Sequence, residues 1–511
     1  MRSKLLLFFL LLSFLNEAQV QTKLERGIPE REGLSSSAIL NFINKAEEKI
    51  DAIHSLMIVK NGKVISEGWW KPYNKNSPHE LWSLSKSFTS TAVGFAVNEG
   101  LLSIDDLVIS FFPDKVPDKP SWQLEQLRIV DLLTMNTGHV KEPKLNAGEG
   151  DWEFNFLNSD IQFMPGTHFL YNTPATFMLS SIIQKVSGEM LVDYLYPRLF
   201  EPLGIEKPDW EMNEAGVNVG GWGLHLKTED IAKFGLLYLN KGMWNGKQIL
   251  PKKWIENATS KQVSNGSNPS NDWTQGYGYQ FWRSRYNSYR GDGAMGQFCL
   301  VIPEKNLVIA ITSGTNNMGM VMQLVWDNIL PEAVNISLPN NNKMHNLLKE
   351  KTASLFLNPH DFKSSKAVKN MVNRKFKIEN NDQGVKSVSF KKKKNKNYVI
   401  FDMEDGIETI EYGHGEYIYD EIINHLPFTN LRRNQFIPES SLRYLKHKKI
   451  ASSGAWINNN EFMLSTYLFE TPVRMDYKFI FNDKRLIIES VANNYLGKSN
   501  QPNFLRSVEN D

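Results

Sequence analysis

A serine and a lysine stand three residues apart at the start of a predicted helix, which runs from Ser83 to Gly100. Ser is a preferred N-cap residue, so Ser83 could simply satisfy an orphan backbone N–H. That explanation does not account for Lys86. A capping box favours Glu or Gln at the third helical position, and the helix dipole disfavours a cation there.

The spacing of the two residues suits nucleophilic chemistry. Residues i and i+3 lie on one face of a helix, so the amine of Lys86 can reach the hydroxyl of Ser83. The helix dipole and burial both lower the pKa of a lysine toward the range where it accepts a proton. A second Ser-x-x-Lys match, Ser389–Lys392, lies in a β-rich stretch with no helix to hold it and is a chance match.

A further hydroxyl belongs to Tyr171, which precedes another predicted helix. Thr173 is a good N-cap residue and Pro174 suits the first helical position. Tyr171 then lies just outside the helix, where its hydroxyl can face a cleft. Packing is the usual role of a tyrosine in such a place, so the residues alone leave both interpretations open.

Two β-rich blocks flank these candidates. The first is a hairpin that turns at Asn61-Gly62, and the second comprises Tyr277–Trp282 and two strands that turn at Pro303–Asn306. The residues between the blocks are mostly helical. The predicted helices are Ser83–Gly100, Ile129–Thr134, Pro174–Val186 and Thr228–Leu239. We therefore expect one sheet built from both ends of a domain, with helices inserted between its parts.

The length of 511 residues exceeds the size at which a single core stops growing, so two domains are expected. We predict a first domain over residues 21–340, a polar linker over 341–372 and a β-rich domain over 373–511. The net charge of +2 is too small to indicate binding to nucleic acid or to an anionic membrane. Nothing in the β-rich domain indicates a site.

The N-terminus has the pattern of a secretory signal. Basic residues precede the apolar run Leu5–Leu12, which is followed by small residues such as those at a cleavage site. Residues 1–20 are therefore predicted to be a signal peptide, and the protein is predicted to be exported to the periplasm or outside the cell. No other segment is long and apolar enough to span a bilayer. The single cysteine, Cys299, excludes a disulfide within the chain, and we expect it to be buried.

The ordered motifs resemble the class C β-lactamase-related serine hydrolases. The resemblance rests on Ser83 and Lys86, then Leu132–Gly138, Tyr171 and Gly221–Gly235, within roughly residues 25 to 335. That superfamily also contains family VIII esterases, D-aminopeptidases and 6-aminohexanoate-dimer hydrolases. It implies an α+β fold, in which an antiparallel sheet flanked by helices lies beside an all-α subdomain, here followed by the small antiparallel β domain.

The resemblance also implies roles for individual residues. Ser83 would be acylated, Lys86 would accept its proton, and Tyr171 would exchange protons with Lys86 and the leaving group. The family's second motif is usually Tyr-x-Asn, whereas this sequence has Thr173 in the last position. A hydroxyl thus replaces the amide expected to contact substrate.

The third motif departs further from the family. Lys or His, then Ser or Thr, then Gly is common on the strand that lines the site, but residues 290–297 read Arg-Gly-Asp-Gly-Ala-Met-Gly-Gln. Since the family's cation helps hold the β-lactam carboxylate, its loss favours ester or amide cleavage over antibiotic hydrolysis. The oxyanion hole needs only backbone N–H groups, from Ser83 and Ala294, and Gly293 allows close approach of substrate. Gln297 and Trp222 are expected to shape the pocket.

The expected function is therefore that of an exported serine hydrolase acting on an ester or amide. A penicillin-recognising D-peptidase or β-lactamase is one alternative, and a non-catalytic binding protein on the same fold is another. No metal or organic cofactor is expected. The expected partner is a small-molecule or oligomeric ester or amide substrate, without nucleic acid or stable membrane insertion, and the sequence does not indicate an oligomeric state.

Overall fold

The computed structural model describes residues 23–145, 150–358, 373–422, 448–482, 485–493 and 503–508. The predicted signal peptide, residues 1–20, lies outside these ranges. Residues 359–372 of the predicted linker do so as well.

A six-stranded antiparallel sheet forms the centre of the first domain. Its strands lie in the order Lys63–Trp69, Ile53–Lys60, Leu307–Ser313, Gln297–Ile302, Tyr289–Gly293 and Trp282–Arg283, so the N-terminal hairpin pairs with strands from much later in the chain, as predicted. The hairpin turns at Asn61 and Gly62, both at positive φ. The strands up to residue 313 are β1 (Ile53–Lys60), β2 (Lys63–Trp69), β3 (His79–Glu80), β4 (His225–Leu226), β5 (Met243–Trp244), β6 (Lys247–Gln248), β7 (Trp282–Arg283), β8 (Tyr289–Gly293), β9 (Gln297–Ile302) and β10 (Leu307–Ser313).

Helices cover both faces of this sheet. The α-helices are α1 (Ser36–Lys49), α2 (Ser85–Asn98), α3 (Trp122–Glu125), α4 (Ile129–Leu133), α5 (Trp152–Leu157), α6 (Thr173–Ser187), α7 (Leu191–Leu195), α8 (Thr228–Leu239), α9 (Lys252–Thr259), α10 (Met318–Asn328) and α11 (Asn342–Ala353). Helix α8 packs on one face, together with the mostly helical region between β3 and β7. Helices α1 and α10 cover the other face. The predicted helix Thr228–Leu239 is confirmed to the residue.

Alternating side chains of the central strands are buried in two separate cores, one on each face of the sheet. Met57 and Val59 of β1 are buried on the α8 side, whereas Leu56 and Ile58 are buried against α1 and α10. Cys299 is buried on the α8 side, as expected. Because both faces are covered, the central strands are apolar at almost every position.

One predicted strand is wrong. The stretch Tyr277–Trp282 does not run straight, because Gln280 has a φ of +61° and Gly278 N donates to Phe281 O at 2.8 Å across a tight turn. Only Trp282 and Arg283 join the sheet, as β7. The turn also brings Gln280 against α4, where its backbone N–H donates to Leu133 O.

The C-terminal β domain has two antiparallel sheets around one core. The four-stranded sheet contains β11 (Lys375–Lys377), β12 (Val385–Lys393), β13 (Lys396–Met403) and β14 (Gly406–Tyr412); the six-stranded sheet contains β15 (Ile418–Ile422), β16 (Lys448–Trp456), β17 (Glu461–Leu468), β18 (Arg474–Phe481), β19 (Leu486–Ala492) and β20 (Asn503–Arg506). Bridges Ile378–Ser507 and Gly413–Ser453 join the sheets at both sides. This arrangement confirms the predicted fold class, an α+β domain followed by an antiparallel β domain.

The part of the predicted linker that the structure describes contains helix α11. It packs against α1, with Leu348 buried in the contact. Among the described residues, none of the helices combines the length and apolar character needed to cross a bilayer.

Candidate active site

The segment that carries Ser83 bends sharply before α2. Trp82 has a φ of +48°, an unusual left-handed conformation for a bulky residue, and one 3-10 turn covers Trp82–Leu84. Helix α2 therefore begins at Ser85, with Leu84 at the N-cap. Ser83 therefore lies one residue before the N-cap, near the position predicted for it, and its hydroxyl faces Lys86 and does not cap the helix.

Lys86 is the second residue of α2 and is buried, whereas Ser83 is partly exposed. The Nζ of Lys86 donates to Ser83 Oγ at 2.9 Å and to Gly221 O at 2.8 Å. Burial lowers the pKa of Lys86 to about 7, while the charges of Glu142 and Asp292 oppose this shift. The amine can therefore be neutral near pH 7, beside a serine that solvent and substrate can reach.

Tyr171 lies next to the same pair. Its ring centroid is 5.0 Å from Lys86 Nζ, and the ring stacks on Trp282 with centroids 5.2 Å apart. Burial of the hydroxyl raises the pKa of Tyr171, the charge of Asp292 raises it further, and a hydrogen bond with Ser83 opposes the rise. The structure thus brings the three predicted groups together and keeps Tyr171 protonated at neutral pH.

The start of α6 holds Tyr171 at the cleft. Asn172, not the predicted Thr173, is the N-cap, and its Oδ1 accepts from Ala175 N at 3.2 Å. The amide of Asn172 also donates to Thr137 Oγ1 at 3.0 Å. Thr173 is partly exposed, and its N–H donates to a carboxylate oxygen of Glu142 at 2.7 Å. The anionic Glu142 therefore lies at the positive end of α6.

Strand β8 approaches the nucleophile segment so closely that a side chain at either of two glycine positions would collide with it. A Cβ atom on Gly293 would lie 2.0 Å from Leu81 O and 3.1 Å from Ser83 N. A Cβ atom on Gly291 would lie 2.4 Å from the side chain of Leu84. Gly293 therefore lies beside the Ser83 backbone, as the predicted oxyanion hole requires.

Ala294 lies in the tight turn that follows β8. Gly296 N donates to Gly293 O at 3.2 Å across this turn, and Met295 has a φ of +61° and packs on Trp82. The two left-handed residues, Trp82 and Met295, thus meet beside Ser83. Backbone strain of this kind persists only where surrounding contacts fix it, and it is frequent at active sites.

Gln297 lies beneath the turn, not in the cleft. It is fully buried, and its amide nitrogen donates to Ala294 O at 2.9 Å and Ser313 O at 2.8 Å. Its amide oxygen accepts from Ser313 N at 3.2 Å. Backbone carbonyls bind both of its amide N–H groups, so Gln297 supports the turn. The prediction that Gln297 shapes the substrate pocket is wrong.

Strand β8 also carries a buried ion pair that no sequence motif indicated. Arg290 is fully buried, and its Nε and a terminal nitrogen lie 2.9 and 2.8 Å from Asp292 Oδ2. The guanidinium also lies over Trp273, 4.5 Å from the ring centroid. Residues i and i+2 share a face of a strand, which is the sequence signal that could have identified the pair.

Trp222 is anchored next to the residue that binds Lys86. It is largely buried, its Nε1 donates to Glu211 Oε2 at 2.9 Å, and its ring stacks with Trp152. The preceding residue, Gly221, supplies the carbonyl that holds Lys86. A Cβ atom on Gly221 would lie 2.8 Å from the methyl group of Thr173. Gly221 therefore lies between Lys86 and Thr173, and the Trp222 side chain anchors the residue next to it.

The described residues contain no group of three or more His, Cys, Asp or Glu side chains arranged to hold a metal ion. Glu142 and Asp292 are the charged residues that the structure adds to the predicted set, because both affect the pKa of Lys86. Glu142 lies in the loop before α5, far from Lys86 in the sequence. No local pattern marked it.

Comparison with known proteins places this geometry in context. Residues 44–333 match the family model described as Beta-lactamase. An uncharacterized protein of Alkalihalophilus pseudofirmus is 25% identical over 315 residues, which cover 53% of this chain and 87% of that protein. The 6-aminohexanoate-dimer hydrolase of Paenarthrobacter ureafaciens is 22% identical over 282 residues, or 50% of this chain and 71% of the relative.

A solved structure from Bacillus anthracis, provisionally named a 6-aminohexanoate-dimer hydrolase, has the same fold. It superposes with a TM-score of 0.51 at 20% identity and covers 64% of this chain and 88% of its own. The family match spans more than half of the 511 residues and contains the serine, the lysine, the tyrosine and strand β8. On this basis the chain belongs to the β-lactamase family.

Proposed function

We propose that this protein cleaves an ester or amide bond through an acyl-enzyme formed on Ser83. The observation that carries the proposal is the buried amine of Lys86, 2.9 Å from the hydroxyl of a solvent-accessible serine. A lysine with a pKa of about 7 is half unprotonated at neutral pH and can act as a general base. Family membership supports hydrolase chemistry on this fold.

Acylation begins when neutral Lys86 accepts the Ser83 proton and Ser83 Oγ attacks the substrate carbonyl carbon. The oxyanion that forms is stabilised by the backbone N–H groups of Ser83 and Ala294. Tyr171 then donates its proton to the leaving alcohol or amine and regains one from Lys86. Water attacks the acyl-enzyme through the same groups in reverse roles, which releases the acid and restores Ser83.

The charge on β8 favours substrates without a carboxylate near the reacting carbonyl. The carboxylate of Asp292 lies close enough to Lys86 and Tyr171 to affect the pKa of both residues. Asp292 is itself paired with Arg290, which is fully buried, so a substrate carboxylate would find no free cation on β8 to bind it. We therefore favour neutral esters or amides, small or oligomeric, as the substrate class.

Covalent labelling tests the proposal. A fluorophosphonate or a short p-nitrophenyl ester should leave an adduct on Ser83 that mass spectrometry locates. Ser83→Ala and Lys86→Ala should abolish both labelling and turnover. The matched control is Ser37→Ala, which removes an exposed hydroxyl on α1 and should change neither. Unchanged turnover in Ser83→Ala would refute the proposed mechanism.

A second candidate function is that of a penicillin-recognising D-peptidase or β-lactamase, which membership in the β-lactamase family supports. The burial of Arg290 in its ion pair with Asp292 predicts weak or no reaction with β-lactams, because their carboxylate then lacks a cation on β8. Saturable labelling of Ser83 by a fluorescent penicillin, or hydrolysis of nitrocefin, would favour this candidate instead. A folded protein that forms no adduct with any of these probes would favour a non-catalytic binding role.

We also propose that the protein is exported, on the basis of the signal-like pattern over residues 1–20. Expression of the full chain in a bacterial host, followed by N-terminal sequencing of the product, tests this. The expected product begins near residue 20 and is found outside the cytoplasm. An intact N-terminus on cytoplasmic protein would contradict export.

A further inference from the structure

A turn of the C-terminal β domain lies against the segment that leads to Ser83. This docking turn, residues 469–473, joins β17 to β18. Glu80 N donates to Glu470 O at 2.8 Å, and the Tyr73 hydroxyl donates to Thr471 O at 2.9 Å. The contact to Glu80 is only three residues before the nucleophile.

The backbone of Glu80 is held from both sides. Its carbonyl can only accept, so His79 Nδ1, at 2.8 Å, must carry the proton that binds it. His79 Nε2 is then the acceptor for His54 Nδ1 at 3.0 Å. The N–H of Glu80 is bound by Glu470 O of the β domain. The peptide groups before Ser83 therefore have one fixed position, which the β domain helps to set.

A second contact reaches the other half of the proposed oxyanion hole. Asn493, which follows β19, donates from Nδ2 to Gly314 O at 3.2 Å and to Pro472 O at 2.8 Å. The residues on either side of Gly314 hold the turn after β8: Ser313 Oγ donates to Met295 O at 2.7 Å, and Thr315 N donates to the same oxygen at 3.1 Å. Asn493 thus links the β domain to the turn that contains Ala294.

The approach at Gly314 is close. A Cβ atom there would lie 2.9 Å from Asn493 Nδ2, His54 Nε2 and Pro472 O. Around it the interface is apolar and continuous with the core on the α1 and α10 side of the sheet: Tyr417, Tyr467 and Phe469 of the β domain are buried in one cluster with Tyr73. The Tyr417 hydroxyl also donates to Leu357 O at 2.7 Å. These contacts hold the β domain in a fixed position against the first domain.

We propose that the C-terminal β domain positions both halves of the oxyanion hole, through Glu470 on the nucleophile segment and through Asn493 on the Ala294 turn. Asn493 and Tyr73 act as positioning residues, since neither is among the groups that we place at the reacting atoms. The inference rests on the proposed acyl transfer at Ser83. It predicts that loosening the docking turn slows acylation without removing any catalytic group.

The test compares Asn493→Ala and Tyr73→Phe with Asn458→Ala in the full-length protein. Asn458 is an exposed residue in the turn between β16 and β17, away from the docking turn, and is the matched control. Both interface variants should lower the acylation rate constant about ten-fold or more, with little change in KM or Tm, because small displacements of reacting groups are costly. The control should behave as wild type.

Hydrogen exchange gives a second readout that does not depend on activity. Peptides covering residues 79–84 and 293–297 should exchange faster in the two interface variants, while peptides of the β domain core remain protected. Wild-type exchange in both peptides, or rate losses that follow a fall in Tm, would overturn the proposal. If Ser83 of the wild type forms no adduct, the proposed hydrolase function fails, and the exchange result still decides whether the β domain holds these segments.

Discussion

The pKa of Lys86 predicts the pH dependence of acylation. Burial brings this pKa to about 7, far below the 10.5 of an exposed lysine. Only the neutral amine can accept the Ser83 proton, so the acylation rate should rise with pH and level off above the pKa. The test therefore measures the acylation rate against pH, in wild type and in a variant that removes a charge near the amine.

The size of the effect follows from the fraction of neutral amine. With a pKa of about 7, roughly half of Lys86 is neutral at pH 7 and about 1% at pH 5, so the rate should fall about 50-fold between these values. A lysine at 10.5 would be only about 0.03% neutral at pH 7, and its rate would still be rising at pH 9. The acylation rate should therefore level off above about pH 7 in the first case and only above about pH 10 in the second.

Glu142→Gln sharpens the test. The charge of Glu142 favours the protonated amine, so its removal should move the inflection to lower pH. The matched control is Glu48→Gln, an exposed carboxylate on α1, which should leave the inflection in place. The assay is the pre-steady-state burst of a p-nitrophenyl ester from pH 5 to 10, within the range where the protein remains folded. An inflection above pH 9 in wild type, or a shift to higher pH in Glu142→Gln, would refute the reasoning.

Three further predictions follow from single contacts. Lys86→Met should abolish turnover yet raise the free energy of unfolding below pH 7, by at most about 5 kcal/mol, because the lowering of the lysine pKa from 10.5 to about 7 destabilises the folded state there. This gain, measured by urea unfolding, should shrink between pH 7 and 10.5, where the unfolded state binds a proton that the folded state lacks, and disappear above 10.5. Gly293→Ala should lower kcat about 100-fold, since the new methyl displaces the Ser83 backbone; Gly319→Ala, where a Cβ meets nothing within 4 Å, should be neutral. Tyr171→Phe should slow amide cleavage about 100-fold but p-nitrophenyl ester cleavage much less, because the poor leaving group needs the proton. Equal losses on both substrates would contradict that role for Tyr171.

Sequence patterns predicted an element correctly where neighbouring residues alone determine its conformation. The Asn61-Gly62 hairpin and the helix Thr228–Leu239 were predicted correctly because turn chemistry and apolar periodicity act over a few residues. The same reasoning failed at Gln280, where a strand was predicted and a turn is found. The left-handed conformation of Gln280, like that of Trp82 before α2, is imposed by packing rather than by propensity.

The candidate site shows the same division. Ser83, Lys86 and Tyr171 could be identified from spacing and from the family resemblance, and the structure places them together. Gln297 was expected in the cleft and lies beneath it, because the direction of a side chain at a turn depends on which backbone groups need partners. Glu142 had no sequence signal, since its relation to Lys86 depends on how a loop folds back onto α6.

The sequence by itself determined which groups are available for chemistry: a serine and a lysine at the start of one helix and a tyrosine before another. Only the tertiary structure decided the properties of those groups. The pKa of Lys86 depends on the exclusion of water and on two carboxylates distant in the chain, and the position of Ser83 depends on a turn nearly 400 residues later. Desolvation and backbone position arise from packing between distant segments, which no local pattern encodes.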